Sequence, residues 1–241
     1  MLFRKAILII HGFAGGTYDE EDLANYLELN KYYDVFQYTL PGHSKNLSKV
    51  KYQDWIKKSE DMMNFLIDNG YRTIYLIGHS MGGVIATYLA GKYKEVRRLV
   101  LCAPAFQYLS VEKEKKNIKE SFKHTPDIVK TYGGDEILSR FLKLNPSSLK
   151  EFSNLILKYY DTPKNVYCPV LIVQGKEDDI VPISSSEYVY NNINSSIKKI
   201  VYINDVTHDI FKGDRSKEII KIIEQFLKKV EDGESVIWMK N

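Results

Sequence analysis

The chain has 241 residues, of which 44% are hydrophobic and 27% charged, and its net charge is only +3. That length suits one domain with a sizeable core. The lysines are scattered and no nucleic-acid-binding motif accompanies them, so no nucleic-acid partner is expected.

The N-terminal "MLFRKAILIIHGF" opens with an apolar run too short to span a membrane and has no small-residue cleavage site after it. It reads as a buried strand over 6–12, and no stable membrane anchor is expected. "EEDLANYLEL" follows as a helix with Leu23, Tyr26 and Leu27 on one side, and then a strand over 33–40, "YDVFQYTL". "WIKKSEDMMNFLIDNG" carries Ile56, Met62, Met63, Leu66 and Ile67 on a helical stripe and stops at Gly70. Next come a strand over 73–78, "TIYLIG", an apolar helix, "MGGVIATYLAGKY", and a strand over 97–103, "RRLVLCA". After an interruption, strands follow over 169–175, "PVLIVQG", and 197–204, "IKKIVYIN", and the helix "SKEIIKIIEQFLKKV" repeats Ile219, Ile222, Ile223, Phe226 and Leu227. The strands are near-continuously apolar, as strands covered on both faces must be. Their alternation with helices predicts an α/β architecture, a mostly parallel sheet of about six strands flanked by helices. The tail "ESVIWMKN" is left unassigned. Val236, Ile237 and Trp238 have either the body or a second subunit to pack on, so a homodimer is one expectation.

Residues 104–166 contain no strand pattern. "VEKEKKNIKESF", "DEILSRFLKL" and "SLKEFSNLILKYY" are amphipathic instead, with "YGGD" and "NPSS" as breaks. This predicts a helical cap inserted into a core made of residues 1–103 and 167–241. The insertion leaves from a strand end, where parallel sheets bind ligands, so a lid over a site is expected; cover for a sheet edge is the plainer alternative. Cys102 and Cys168 have neither metal-ligand nor disulfide spacing and read as small buried apolar residues, which suggests a reducing, cytoplasmic setting.

"GHSMG", Gly78 to Gly82, fits G-x-S-x-G between a strand and a helix, the context that motif requires. The glycines leave room for a sharp turn that holds Ser80 in a strained position at the tip of the strand, over a helix N-terminus. A serine nucleophile needs a base, and the base needs an orienting acid. Of His11, His43, His79, His124 and His208, the last lies between the final strand and the final helix, where a base belongs; His79 should diverge from its neighbour Ser80. "GKEDDIVP" offers Glu177, Asp178 and Asp179 as the acid. The main-chain N–H groups of Met81 and Phe13 are the expected oxyanion donors. Phe13, Phe106 and Tyr108 are candidates for an apolar acyl pocket, with core packing the alternative for the last two.

"HGF", "LPGHS", "GHSMGG", "GKEDDIVP" and "THD", in the order Ser, Asp, His, resemble the α/β-hydrolase family over nearly the whole chain. The resemblance is greatest to small bacterial carboxylesterases and monoacylglycerol lipases with a short helical cap. It implies Asp178 as the acid, three residues after Gly175 and shortly before Val181–Pro182. It also implies a serine hydrolase of carboxylic esters that works through an acyl-enzyme, with no metal and no organic cofactor. A thioesterase or a carbon–carbon bond hydrolase would use the same triad, and a non-catalytic binding protein on this fold is a further alternative. Two departures from the family pattern are expected: the strand leading to "HGF" is the first one read here, so the first two of the usual eight are not expected in the sheet, and Thr207 stands where a glycine usually precedes the late histidine.

Overall fold

The computed structural model of the protein describes residues 4–30, 32–43, 50–107, 146–178, 180–230 and 232–239. Strands β1 (Lys5–Ile10), β2 (Tyr33–Gln37), β3 (Ile74–His79), β4 (Val96–Cys102), β5 (Val170–Gly175), β6 (Lys198–Ile203) and β7 (Glu234–Met239) form one sheet in the order β2-β1-β3-β4-β5-β6-β7. Every neighbouring pair is parallel. The helices between them are α1 (Glu21–Glu28), α2 (Tyr52–Asp68), α3 (Met81–Lys92), α4 (Pro146–Tyr159), α5 (Ile183–Asn192) and α6 (Ser216–Lys228).

A parallel strand can follow another only after a crossover, and these crossovers lay helices on both faces of the sheet. The apolar side chains therefore divide into two layers. Ala6, Leu8 and Ile10 of β1 point into one with Met63 and Leu66 of α2 and Val84 and Leu89 of α3. Ile7 and Ile9 point into the other with Leu23 and Leu27 of α1 and Ile219, Ile223 and Leu227 of α6. The central strands β1, β3 and β5 are buried over nearly their whole length, which is why their sequences run apolar without a break.

The six strands read from the sequence are present, and the unassigned tail supplies a seventh. β7 pairs with β6 from Lys198↔Glu234 to Ile203↔Met239, so this tail packs on the body. As an edge strand it buries one side: Ile237 and Met239 turn towards α6, whereas Val236 and Trp238 stay about half exposed, at 50% and 52%. Trp238 stacks on Tyr202 with ring centroids 4.2 Å apart. The expected cap helices over 111–122 and 135–144 lie outside the described residues. The third, "SLKEFSNLILKYY", corresponds to α4, which packs on α2 and α3.

Candidate active site

The sheet changes direction of growth at one place. β2 is added on one side of β1, and β3 and all later strands on the other. Loops leaving β1 and β3 diverge there and open a crevice beyond the strand ends. Into it run His11–Gly12–Phe13 from β1 and His79–Ser80 from β3. Among the described residues, the four non-glycine residues with positive φ are Ala14, Ser80, Ala103 and Asp205, each just past β1, β3, β4 or β6. Backbone strain of this kind costs about 1–3 kcal/mol per residue. Here it is confined to the carboxyl edge of the sheet.

Ser80 caps α3 with φ 53° and ψ −118°. Its N–H donates to Cys102 O at 2.9 Å, and its carbonyl accepts from Gly83 and Ala105, so the strained residue is anchored on three sides. The turn works only because two neighbours lack side chains. A Cβ on Gly82 would run into the carbonyl oxygens of Ile10 and His11. One on Gly12 would stand 3.1 Å from Ser80 Cβ and 3.7 Å from Ser80 Oγ, in the space beside the hydroxyl. Met81 follows as the first residue of α3, where main-chain N–H groups have no partner within the helix.

His11 fixes the neighbouring loop. Its Nε2 accepts the Leu40 N–H at 3.0 Å, so the ring proton sits on Nδ1 and is donated to Gly12 O at 2.8 Å. Burial, with His43 close by, lowers its pKa to about 3, so His11 stays neutral in that tautomer. Gly12 O and Phe13 N–H belong to one trans peptide and point in opposite directions. Holding the oxygen therefore holds the Phe13 N–H on the other side of the loop.

His208 lies in the loop between β6 and α6, and its Nδ1 is 2.9 Å from Asp178 Oδ2. Asp178 accepts the Ile180 and Val181 N–H groups at Oδ1, at 3.0 and 2.8 Å, and the Gln174 Nε2–H at Oδ2, at 3.0 Å. Burial alone would raise its pKa, but the His208 ring and these hydrogen bonds outweigh burial and hold the carboxyl below its ordinary value. Glu177 turns elsewhere and accepts the Val206 N–H at 3.2 Å; Asp179 lies outside the described residues.

Phe13 stacks on Phe152 of α4 with centroids 4.7 Å apart and meets Trp55 and His43 edge-on, at 5.9 and 5.6 Å. Phe106 is 1% exposed in the apolar layer beside α2 and α3, 6.1 Å from the Tyr188 ring. Tyr108 and His124 lie outside the described residues. The sequence reading missed Glu20, Trp55, Phe152 and Gln174. Gln174 had a visible signal, a lone amide in an otherwise apolar strand. Among the described residues, no group of three or more His, Cys, Asp and Glu could hold a metal ion, and no helix is long and apolar enough to cross a membrane.

The sequence profile described as Serine aminopeptidase, S33 matches residues 3–215. The chain belongs to this family. Among relatives of the S33 chain is a carboxylesterase of Bacillus subtilis (strain 168), 26% identical over 238 residues, covering 94% of each sequence. Another is a thermostable monoacylglycerol lipase of Bacillus sp. (strain H-257), 24% identical over 207 residues, with 84% of this chain and 82% of the relative covered. A monoacylglycerol lipase structure from Paleococcus ferrophilus superposes with a TM-score of 0.70 at 18% identity, covering 92% of this chain and 93% of the other. A structure described with the metagenome-derived lipolytic enzymes LipS and LipT gives a TM-score of 0.74 at 20% identity, with 93% and 94% covered. The S33 protein is thus an α/β-hydrolase of the esterase and lipase type.

Proposed function

We propose that the protein hydrolyses carboxylic esters of short- to medium-chain acids, monoacylglycerols included, through Ser80, His208 and Asp178. The observation that carries this reading is the buried His208–Asp178 pair at the same sheet edge as the strained Ser80. Ser80 Oγ attacks the ester carbonyl while His208 Nε2 takes its proton. Asp178 keeps the other ring proton on Nδ1 and stabilises the imidazolium as it forms. The oxyanion is met by the N–H groups of Met81 and Phe13, both fixed before substrate arrives. His208 then protonates the leaving alcohol, and water activated by the same base releases the acid. Phe13, partly exposed and backed by the buried Phe152 and Trp55, suits an acyl chain, and the cap expected over 104–166 serves as its lid through α4. The free cysteines fit a cytoplasmic enzyme.

The test is a panel of p-nitrophenyl esters, monoacylglycerols, acyl thioesters and aminoacyl amides, together with fluorophosphonate labelling. Esters are expected to be the best substrates. Ser80→Ala and His208→Ala should each lower kcat/KM by about 10⁵ to 10⁶, since the two act as a unit. A wild-type protein that neither labels nor turns over any ester would refute the reading.

A further inference from the structure

Glu20 immediately precedes α1 and is fully buried. Its Oε1 lies 2.9 Å from His79 Nδ1, while among the described residues its buried Oε2 has no hydrogen-bond partner. A carboxyl group in such a place is costly unless it serves some partner. The other nitrogen of that partner, His79 Nε2, lies 3.0 Å from the main-chain oxygen of His208. A carbonyl oxygen only accepts, so Nε2 carries a proton. One further proton then lies between Nδ1 and Oε1, and the pair is net neutral. Burial pushes the Glu20 carboxyl up. Burial alone would push His79 down, but the adjacent Glu20 carboxyl offsets this and the imidazole is held above its ordinary value.

The position of His79 gives the pair its consequence. It adjoins Ser80 in the chain, and it holds the backbone of the residue read above as the base. Asp178 fixes one end of the His208 side chain, but nothing in that bond fixes where the His208 main chain stands. Its carbonyl accepts twice, once from Ile210 N–H at 2.9 Å within the same loop and once from His79. Only the second ties that loop to the strand carrying the nucleophile. Resting on the serine-hydrolase reading, we propose that Glu20 and His79 are a positioning pair for the catalytic base. His79 clamps the His208 main chain beside Ser80, and Glu20 holds the His79 ring in the orientation and protonation state that makes the clamp.

The two ends of the His79 ring can be tested separately in the full chain. His79→Asn places an amide where Nδ1 stood, keeping a partner for Glu20 and deleting the bond to His208. His79→Gln reaches the Nε2 position, keeping the bond to His208 and leaving Glu20 unpaired. Displacing a catalytic group by about 1 Å costs on the order of 10²-fold. In His79→Asn, kcat on p-nitrophenyl butyrate should therefore fall by about 30- to 100-fold with KM within about twofold. His79→Gln should keep kcat within about fivefold of wild type yet melt at a lower temperature than His79→Asn. A purely structural role, satisfying a buried glutamate, predicts the opposite order in kcat. Equal kcat in the two folded variants, or a higher value in His79→Asn, overturns the proposal. Should His79→Gln not fold, Glu20→Gln replaces it: its amide donates to Nδ1 and leaves the Nε2–H bond in place. Its kcat should stay within about fivefold of wild type and well above that of His79→Asn, and equal kcat in the two folded variants, or a higher value in His79→Asn, overturns the proposal. Fluorophosphonate labelling of wild type is run alongside; if labelling and ester turnover are both absent, it is the serine-hydrolase reading that has failed.

Discussion

Asp178 accepts hydrogen bonds at both oxygens, from His208, Gln174, Ile180 and Val181. Asp178→Asn should lower kcat by about 10⁴ in a folded protein, because an amide cannot dictate the His208 tautomer as a carboxylate does. The stability consequence follows from the direction of the shift. A depressed folded-state pKa means stability that is present above the ordinary value of 3.8 and lost as pH falls below it. The gap in urea midpoint between wild type and Asp178→Asn should thus be full at pH 6 and close below that value. Gln174 is a quieter part of the same arrangement. It donates to Asp178 and accepts the Ser186 hydroxyl at 2.7 Å, all within a buried site. Gln174→Leu should reduce kcat by about tenfold with KM nearly unchanged, since it frees the acid without touching the acyl pocket. In the sequence, Ser80 stands out by its motif and His208 by its place between the last strand and the last helix, whereas Asp178 rather than Glu177 or Asp179 is implied by the family resemblance. The contacts of Glu20 and His11 are not legible there, because their partners are remote in the chain: Glu20 and His79 are 59 residues apart, and His11 and Leu40 are 29 apart. Gln174, four residues from Asp178, shows only as a lone amide in an apolar strand.

At the scale of elements, the strain at Ser80 belongs to the β3–α3 turn rather than to the serine. Ser80→Gly relieves a backbone cost of about 1–3 kcal/mol and adds back some of it as unfolded-chain entropy. A net gain of about 1 kcal/mol, or about 2–4 °C in melting temperature, is expected from an inactive protein. A melting temperature at or below that of wild type would mean the turn is not strained. α4, in the stretch read as a cap, reaches the loop after β1 through Phe152, which is 2% exposed and stacked on Phe13. Phe152→Ala should cost about 3–5 kcal/mol and weaken hydrolysis of long acyl esters more than that of p-nitrophenyl acetate. Equal losses on short and long esters would make α4 merely structural. Legibility differed among elements for a physical reason. α1, α2 and α6 bury hydrocarbon on one stripe, so period alone marks them. α5 was missed because its buried face carries hydroxyls: Ser185 donates to Pro104 O and Ser186 to Gln174. β7 was missed because an edge strand buries only one side, and its alternation is too short to stand out.

For the whole molecule, the strand order divides the chain cleanly. β2, β1, β3 and β4 come from the first half and fill one side of the sheet; β5, β6 and β7 come from the second and fill the other. The two blocks meet along a single ladder, Leu99↔Val170 to Cys102↔Val173, and residues 108–145 lie in the connection between them. Ser80 falls in the first block, and Asp178 and His208 in the second. A cut anywhere in 108–145 therefore divides the chain into two fragments with complementary open strand edges and an incomplete set of reacting groups in each. Neither fragment alone should hydrolyse p-nitrophenyl butyrate, and co-expression should restore turnover in proportion to the paired species. Fused to two other proteins, the halves would report whether those proteins meet, with ester hydrolysis as the signal that β4 has found β5.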